Sequence, residues 1–71
     1  MEHLKYEVIK HKRCIDVAFL LLKCYPRKDS SYRIHGWWIN ISNPENVYPM
    51  TLDWCTIKPE EIKNWDVYNV N

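Results

Sequence analysis

The chain reads as a small all-β domain, and three observations predict it. Short segments rich in Tyr, Trp, Ile and Val are separated by turn clusters, "PRKDSS" at Pro26 to Ser31 and "NPEN" at Asn43 to Asn46. Four Trp, five Tyr and one Phe stand among 71 residues. A domain of this size buries only roughly 60% of the surface its unfolded chain exposes. Each buried aromatic removes roughly 150–250 Å² from water, so a few of them nearly build such a core. The length allows one domain, and no linker, repeat or low-complexity tract divides it.

Each element can be justified in order. Lys5 to Lys10 alternates and then slips at Val8-Ile9, predicting an opening strand that bends or bulges there. His11-Lys12-Arg13 makes a polar turn. "CIDVAFLLLKCY", Cys14 to Tyr25, admits two readings. Ile15, Ala18, Phe19 and Leu22 have helical spacing, whereas Ile15, Val17, Phe19 and Leu21 would line one face of a strand. Leu and Ala favour helix, but everything around the segment reads as hairpins, so strand is the expectation. The alternative is an α+β fold, with a helix over 16–25 packed on an antiparallel sheet. Tyr32 to Ser42 is the strongest strand. Val47 to Ile57 gives another, with Leu52 and Trp54 on one face and Pro49 marking an edge, a bulge or a strand start.

"IKPEEIKNW", Ile57 to Trp65, carries the marks of one helical turn. Pro59 suits a first helical position, Glu60 and Glu61 fall in the first turn and Lys63 in the last. Ile62 and Trp65, three apart, can dock together on the core. Asp66 to Val70 then closes the sheet. Five short strands with a helical turn before the last are the ground plan of a small SH3-like barrel.

"YRIHGWWINI", Tyr32 to Ile41, poses the sharpest question, because neighbouring strand residues point to opposite faces. Tyr32 and Ile34 share one phase, and Trp37, Ile39 and Ile41 the other. A β-bulge at Gly36 would reconcile them. Trp37 then joins the core, while Arg33, His35, Trp38 and Asn40 form a polar face with one exposed tryptophan. Trp and Arg are enriched at binding hot spots, which makes these four the candidate partner-binding residues.

Charge adds a second candidate. Met1 to Gly36 holds eight Lys/Arg against four Asp/Glu, and the remainder two against five, so +4 is followed by −3. Lys10, Lys12 and Arg13 form a compact basic cluster, the candidate nucleic-acid contact. Against it stand a net charge of +1 and a pI of about 7.7, below the pI above about 9 that marks such domains.

Little chemistry is on offer. His11-x-x-Cys14 has the spacing of one edge of a zinc site, but a second close pair is missing, so neither metal nor cofactor is expected. A single glycine precludes a glycine-rich phosphate loop, and Glu60-Glu61 is better explained by the helix dipole than by acid/base work. No catalytic residue is assigned. Cys14, Cys24 and Cys55 are an odd number, and no signal-peptide pattern or membrane-length apolar run is present. These features predict a cytoplasmic protein with reduced thiols.

The segments "KHKRCIDVAF", "YRIHGWWINI" and "IKPEEIKNW" resemble the small tailed-bacteriophage proteins, some of which are similar to SH3-like barrels. The likeness spans nearly the whole chain as a pattern: a basic start, an Asp-Val strand, an aromatic hairpin and a late helical turn. It implies a phage or viral origin and a barrel fold, and carries over no functional residue. The expectation is a non-enzymatic module that binds a host or viral protein, with a nucleic-acid-binding barrel as the alternative. An exposed tryptophan equally suits a homodimer.

Overall fold

The computed structural model describes residues 6–69. Strands β1 (Val8–His11), β2 (Val17–Pro26), β3 (Tyr32–Asn40) and β4 (Tyr48–Ile57) run as an antiparallel meander; a 3-10 helix, η1 (Pro59–Asn64), leads into β5 (Trp65–Val67), which returns to pair with β1. The sheet order is β4-β3-β2-β1-β5, the strand order of the SH3-like plan. The segment with two readings is a strand, β2. Pro59 opens η1, with Glu60 and Glu61 in its first turn and Lys63 in its last, the arrangement the helix dipole favours. The strand starting at Lys5 and the closing strand ending at Val70 reach outside the described residues; within them β1 begins at Val8 and β5 ends at Val67.

β3 and β5 stand three strand spacings apart in the sheet, about 14 Å if it lay flat, and on one face the long side chains of Trp38 and Trp65 span that gap, their rings meeting at 6.4 Å. They close over Phe19 (0% exposed), Ile34 (1%) and Ile57, the main core, on which Ile9, Leu21 and Tyr32 also pack. A second core lies on the opposite face: Val8, Ala18, Ile39 and Ile41, with Leu20, Trp37, Val47 and Tyr68 against them. Both faces of β1, β2 and β3 therefore bury apolar side chains.

That two-sidedness corrects the bulge expected at Gly36. β3 pairs residue by residue along its whole length, and the register shifts lie in its neighbours. Leu22 is the extra residue between Leu21 and Lys23 of β2, and Met50 the extra residue between Pro49 and Thr51 of β4. Strict alternation puts Ile34, Gly36 and Trp38 on the main-core face and Arg33, His35 and Trp37 on the other. Trp38, expected to be exposed, packs edge-to-face on Phe19 at 4.9 Å. Trp37, expected to share one core with Tyr32 and Ile34, packs instead against the second core on the opposite face. The slip at Val8-Ile9 has the same cause. Val8 feeds one core and Ile9 the other, so consecutive apolar residues need no bulge.

Gly36 has a different role. A Cβ placed on it would lie 1.9 Å from the Leu20 carbonyl oxygen and 3.0 Å from the Phe19 ring. The first neighbour is backbone, which cannot swing aside as a side-chain tip would. The missing side chain lets the β2 backbone approach β3 closely beside the Leu22 irregularity and lets Phe19 fill the space.

Gly36→Ala is expected to cost about 3 kcal/mol or more, beyond ordinary overpacking, because a strand must move. Trp38→Ala is expected to cost about 3–5 kcal/mol and Trp37→Ala distinctly less. Urea unfolding midpoints measure all three, and a larger loss at Trp37 than at Trp38 would contradict the two-core arrangement.

Candidate functional site

The structure splits the four candidate partner-binding residues between two faces. Trp38 is half-buried on the main-core face, where its indole N–H donates to Asp53 Oδ2 at 3.1 Å. Asn40, on the same side, accepts from the Ser42 N–H at 3.0 Å and from the Ser42 hydroxyl at 2.6 Å, and so organises the turn after β3. Arg33 and His35 lie on the opposite face, opposite Thr56 and Trp54 of β4 and opposite Tyr25 and Lys23 of β2.

Arg33 and His35 belong to an aromatic platform that the sequence reading did not assemble. Trp54 stacks on His35 at 4.4 Å and on Tyr25 at 6.1 Å, with interplanar angles of 28° and 17°. The Arg33 guanidinium carbon lies 5.3 Å from the Trp54 ring centre, within cation–π range. Arg33 is further fixed by donating from Nη1 to Thr56 Oγ1 at 2.9 Å. Despite this stacking, Trp54 remains 44% exposed and Tyr25 47%. Leu52, one pleat along β4 and also exposed, extends the apolar surface toward Trp37. Two signals for this site were present in the sequence. Alternation put Leu52 and Trp54 together, and Pro49 marked an edge strand, whose side chains have a neighbour on one side only.

Beyond Leu52 the same face opens into an apolar hollow of about 500 Å³ beside Trp37, lined by Val8, Leu20, Ile39, Val47, Tyr48 and Pro49. No acid, base or thiol lines it.

The basic candidates sit elsewhere and are partly answered by acids. Lys10 pairs in register with Asp66. Lys12 and Arg13 are exposed in the β1–β2 turn, which Glu61 approaches from η1. Glu61 Oε1 lies 3.0 Å from His11 Nε2. His11 Nδ1 accepts the Arg13 N–H at 3.0 Å, so the imidazole that satisfies both contacts carries its proton on Nε2 and donates it to Glu61. Both ring nitrogens of His11 are thus engaged. Among the described residues no three His, Cys, Asp or Glu side chains gather as metal ligands; His3 lies outside them.

The thiols are free: Cys24 is exposed, Cys14 and Cys55 half-buried. Burial, then the Asp53 carboxylate, pushes the Cys55 thiol up, which disfavours the nucleophilic thiolate. Three carboxylates move the other way. The Trp38 indole, followed by the Trp54 backbone N–H, holds Asp53 below the usual carboxylate range. The Ser31 hydroxyl and then its N–H do so for Asp29. His11, then Asn64, does so for Glu61.

The chain matches no protein-family model, no curated protein and no solved structure. Among the described residues no helix is long and apolar enough to cross a membrane.

The lowered carboxylates fix the sign of the acid response. Their folded-state values lie below their unfolded ones, so the unfolded chain binds more protons as pH falls. Their stabilisation is present above about pH 4.5, the ordinary carboxylate range, and is lost as pH drops through the folded values. Urea midpoints taken at decreasing pH should therefore fall below that range, and Asp53→Asn should flatten the decline. A midpoint that stays constant into strong acid would contradict the three hydrogen-bonded carboxylates.

Proposed function

We propose that the chain is a non-enzymatic recognition module that binds a host or viral protein through the Trp54 platform. The observation that carries this reading is the pre-stacked, half-exposed array of Tyr25, Arg33, His35 and Trp54 on the open face of β2, β3 and β4. Ordering a long cation or a large ring at an interface costs conformational entropy. Here stacking and the Thr56 hydrogen bond have already restricted both, so the platform meets a partner with less left to order. Trp and Arg are the residue types that dominate hot spots. The cations Arg33 and Lys23 favour a partner surface that combines carboxylates with an apolar or aromatic anchor.

The hollow beside Trp37 adds shape and apolar surface next to the platform. A viral origin rests on the resemblance to small tailed-phage proteins, and action in the host cytoplasm fits three unpaired thiols. The nucleic-acid alternative gains one observation, since stacked rings beside Arg33 and Lys23 also suit bases. It loses one at Lys10 and Glu61, where acids face the predicted basic cluster.

Affinity capture from host lysate, with and without nuclease, separates the readings. A protein partner is expected to survive nuclease and moderate salt, to be lost with Tyr25→Ala and Arg33→Glu, and to be retained with Lys12→Glu and Arg13→Glu. Capture abolished by nuclease, together with a steep salt-dependent loss of binding to a labelled oligothymidine, would overturn the protein reading in favour of phosphate contacts.

A further inference from the structure

The face that carries the platform is built in rows. Pairing across β2, β3 and β4 sets Leu20, Trp37 and Leu52 side by side, then Lys23, His35 and Trp54, then Tyr25, Arg33 and Thr56. The first row borders the apolar hollow of about 500 Å³. The next two rows each hold one cation and one exposed aromatic ring. Successive rows lie two residues apart along β3, roughly 6.6 Å at the usual strand rise.

The two cations have no carboxylate on their own face to answer them. Among the described residues the only ion pair joins His11 to Glu61. The described strands hold two acids. Asp53 points to the opposite face, where its oxygens already accept from the Trp38 indole and the Trp54 backbone N–H. Asp66 shares the face but pairs in register with Lys10, beyond β2. Lys23 is exposed. Arg33 gives one N–H to Thr56 and keeps the rest of its guanidinium donors.

We infer that this face binds an extended peptide segment in which one apolar side chain and two carboxylates occupy successive alternate positions. Alternate side chains of an extended chain share a face and repeat at about 6.6 Å, which is the spacing of the rows. The apolar side chain enters the hollow beside Trp37, the middle carboxylate meets Lys23, and the last meets Arg33, whose planar fork suits a carboxylate. The inference rests on the protein-binding reading above and narrows that partner to a linear acidic segment. Charge complementarity and row spacing select this occupant over two others. A fatty-acid anion has one carboxylate for cations that stand in successive rows. A nucleic-acid strand has phosphates enough, but a base entering the hollow would set its polar edges against an almost wholly apolar lining.

Two capped peptides test it on the purified full chain: Phe-Thr-Glu-Thr-Glu and its reverse, each flanked by serines. Binding is followed through the tryptophan indole N–H resonances. At about 1 mM, where even a weak complex is visible, at least one peptide is expected to shift Trp37 and Trp54 more than Trp38, which lies on the opposite face. Replacing its Phe by Ser, or moving its glutamates to consecutive positions, should weaken binding at least about fivefold. Arg33→Glu should abolish the shifts, and a peptide whose terminal Glu is replaced by Lys should restore them in that variant. Circular dichroism checks that the variant folds. Failure of both peptides to shift Trp37, equal binding of the consecutive-glutamate peptide, or no rescue by the lysine peptide would each overturn the inference, even where capture from lysate survives nuclease and upholds the broader reading. Oligothymidine shifting Trp37 in place of the peptides, or dimerisation of the chain alone that protects Trp37, would give the hollow to another occupant and overturn it as well.

Discussion

The close approach of the Leu20 carbonyl to Gly36 is the contact on which the rest of the sheet depends. The two strands are ladder neighbours, and at that point the β2 backbone comes so close that a Cβ on Gly36 would lie 1.9 Å from the Leu20 oxygen. The approach places the Phe19 ring against the glycine, on the face where Trp38 and Trp65 meet. The register irregularities fall on the neighbouring strands, at Leu22 and Met50, where bulges add twist and bend. β3 itself stays regular. Its strict alternation then assigns every side chain from Tyr32 to Asn40 to one face or the other.

A domain this small has too little interior for ten aromatic rings. The structure distributes them: Phe19, Trp38 and Trp65 serve the main core, Trp37 and Tyr68 the second core, and Tyr25 and Trp54 the open face. The division also separates polar functions. Asp53 satisfies the Trp38 indole on the main-core side, whereas Arg33 and His35, its neighbours across the ladder, stack with Trp54 on the other. Alternate residues of one hairpin thus hold the core together and build the exposed platform.

The sequence disclosed the strand count, the late helical turn and the position of Pro59, because those rest on turn chemistry, capping and periodicity, which are local. The choice of strand for Cys14 to Tyr25 followed from the hairpins around it and overrode the helical leaning of its leucines; the strand itself runs from Val17 to Pro26, one residue into the expected turn. What stayed hidden is non-local. Reading Val8-Ile9 and Trp37-Trp38 as phase slips assumed one buried face, and with two buried faces the same doublets are simply consecutive residues. Gly36 was correctly singled out but given the wrong task, since a close approach from a neighbouring strand leaves no mark in its own segment. The Trp54 platform draws on three strands. Sequence could place Arg33 with His35 and Leu52 with Trp54, but not the register that brings the two pairs together.

The central claim is that β3 is regular and places Trp38, not Trp37, against Phe19. Nuclear Overhauser contacts from the tryptophan rings in the isotope-labelled protein test it most directly. Contacts should run from the Trp38 ring to Phe19 and Trp65, from the Trp37 ring to Val8 and Ile39, and across the ladder between the Gly36 and Leu21 backbones. Contacts from the Trp37 ring to Phe19 and Ile34, with Trp38 facing solvent, would restore a bulge at Gly36 and contradict the account.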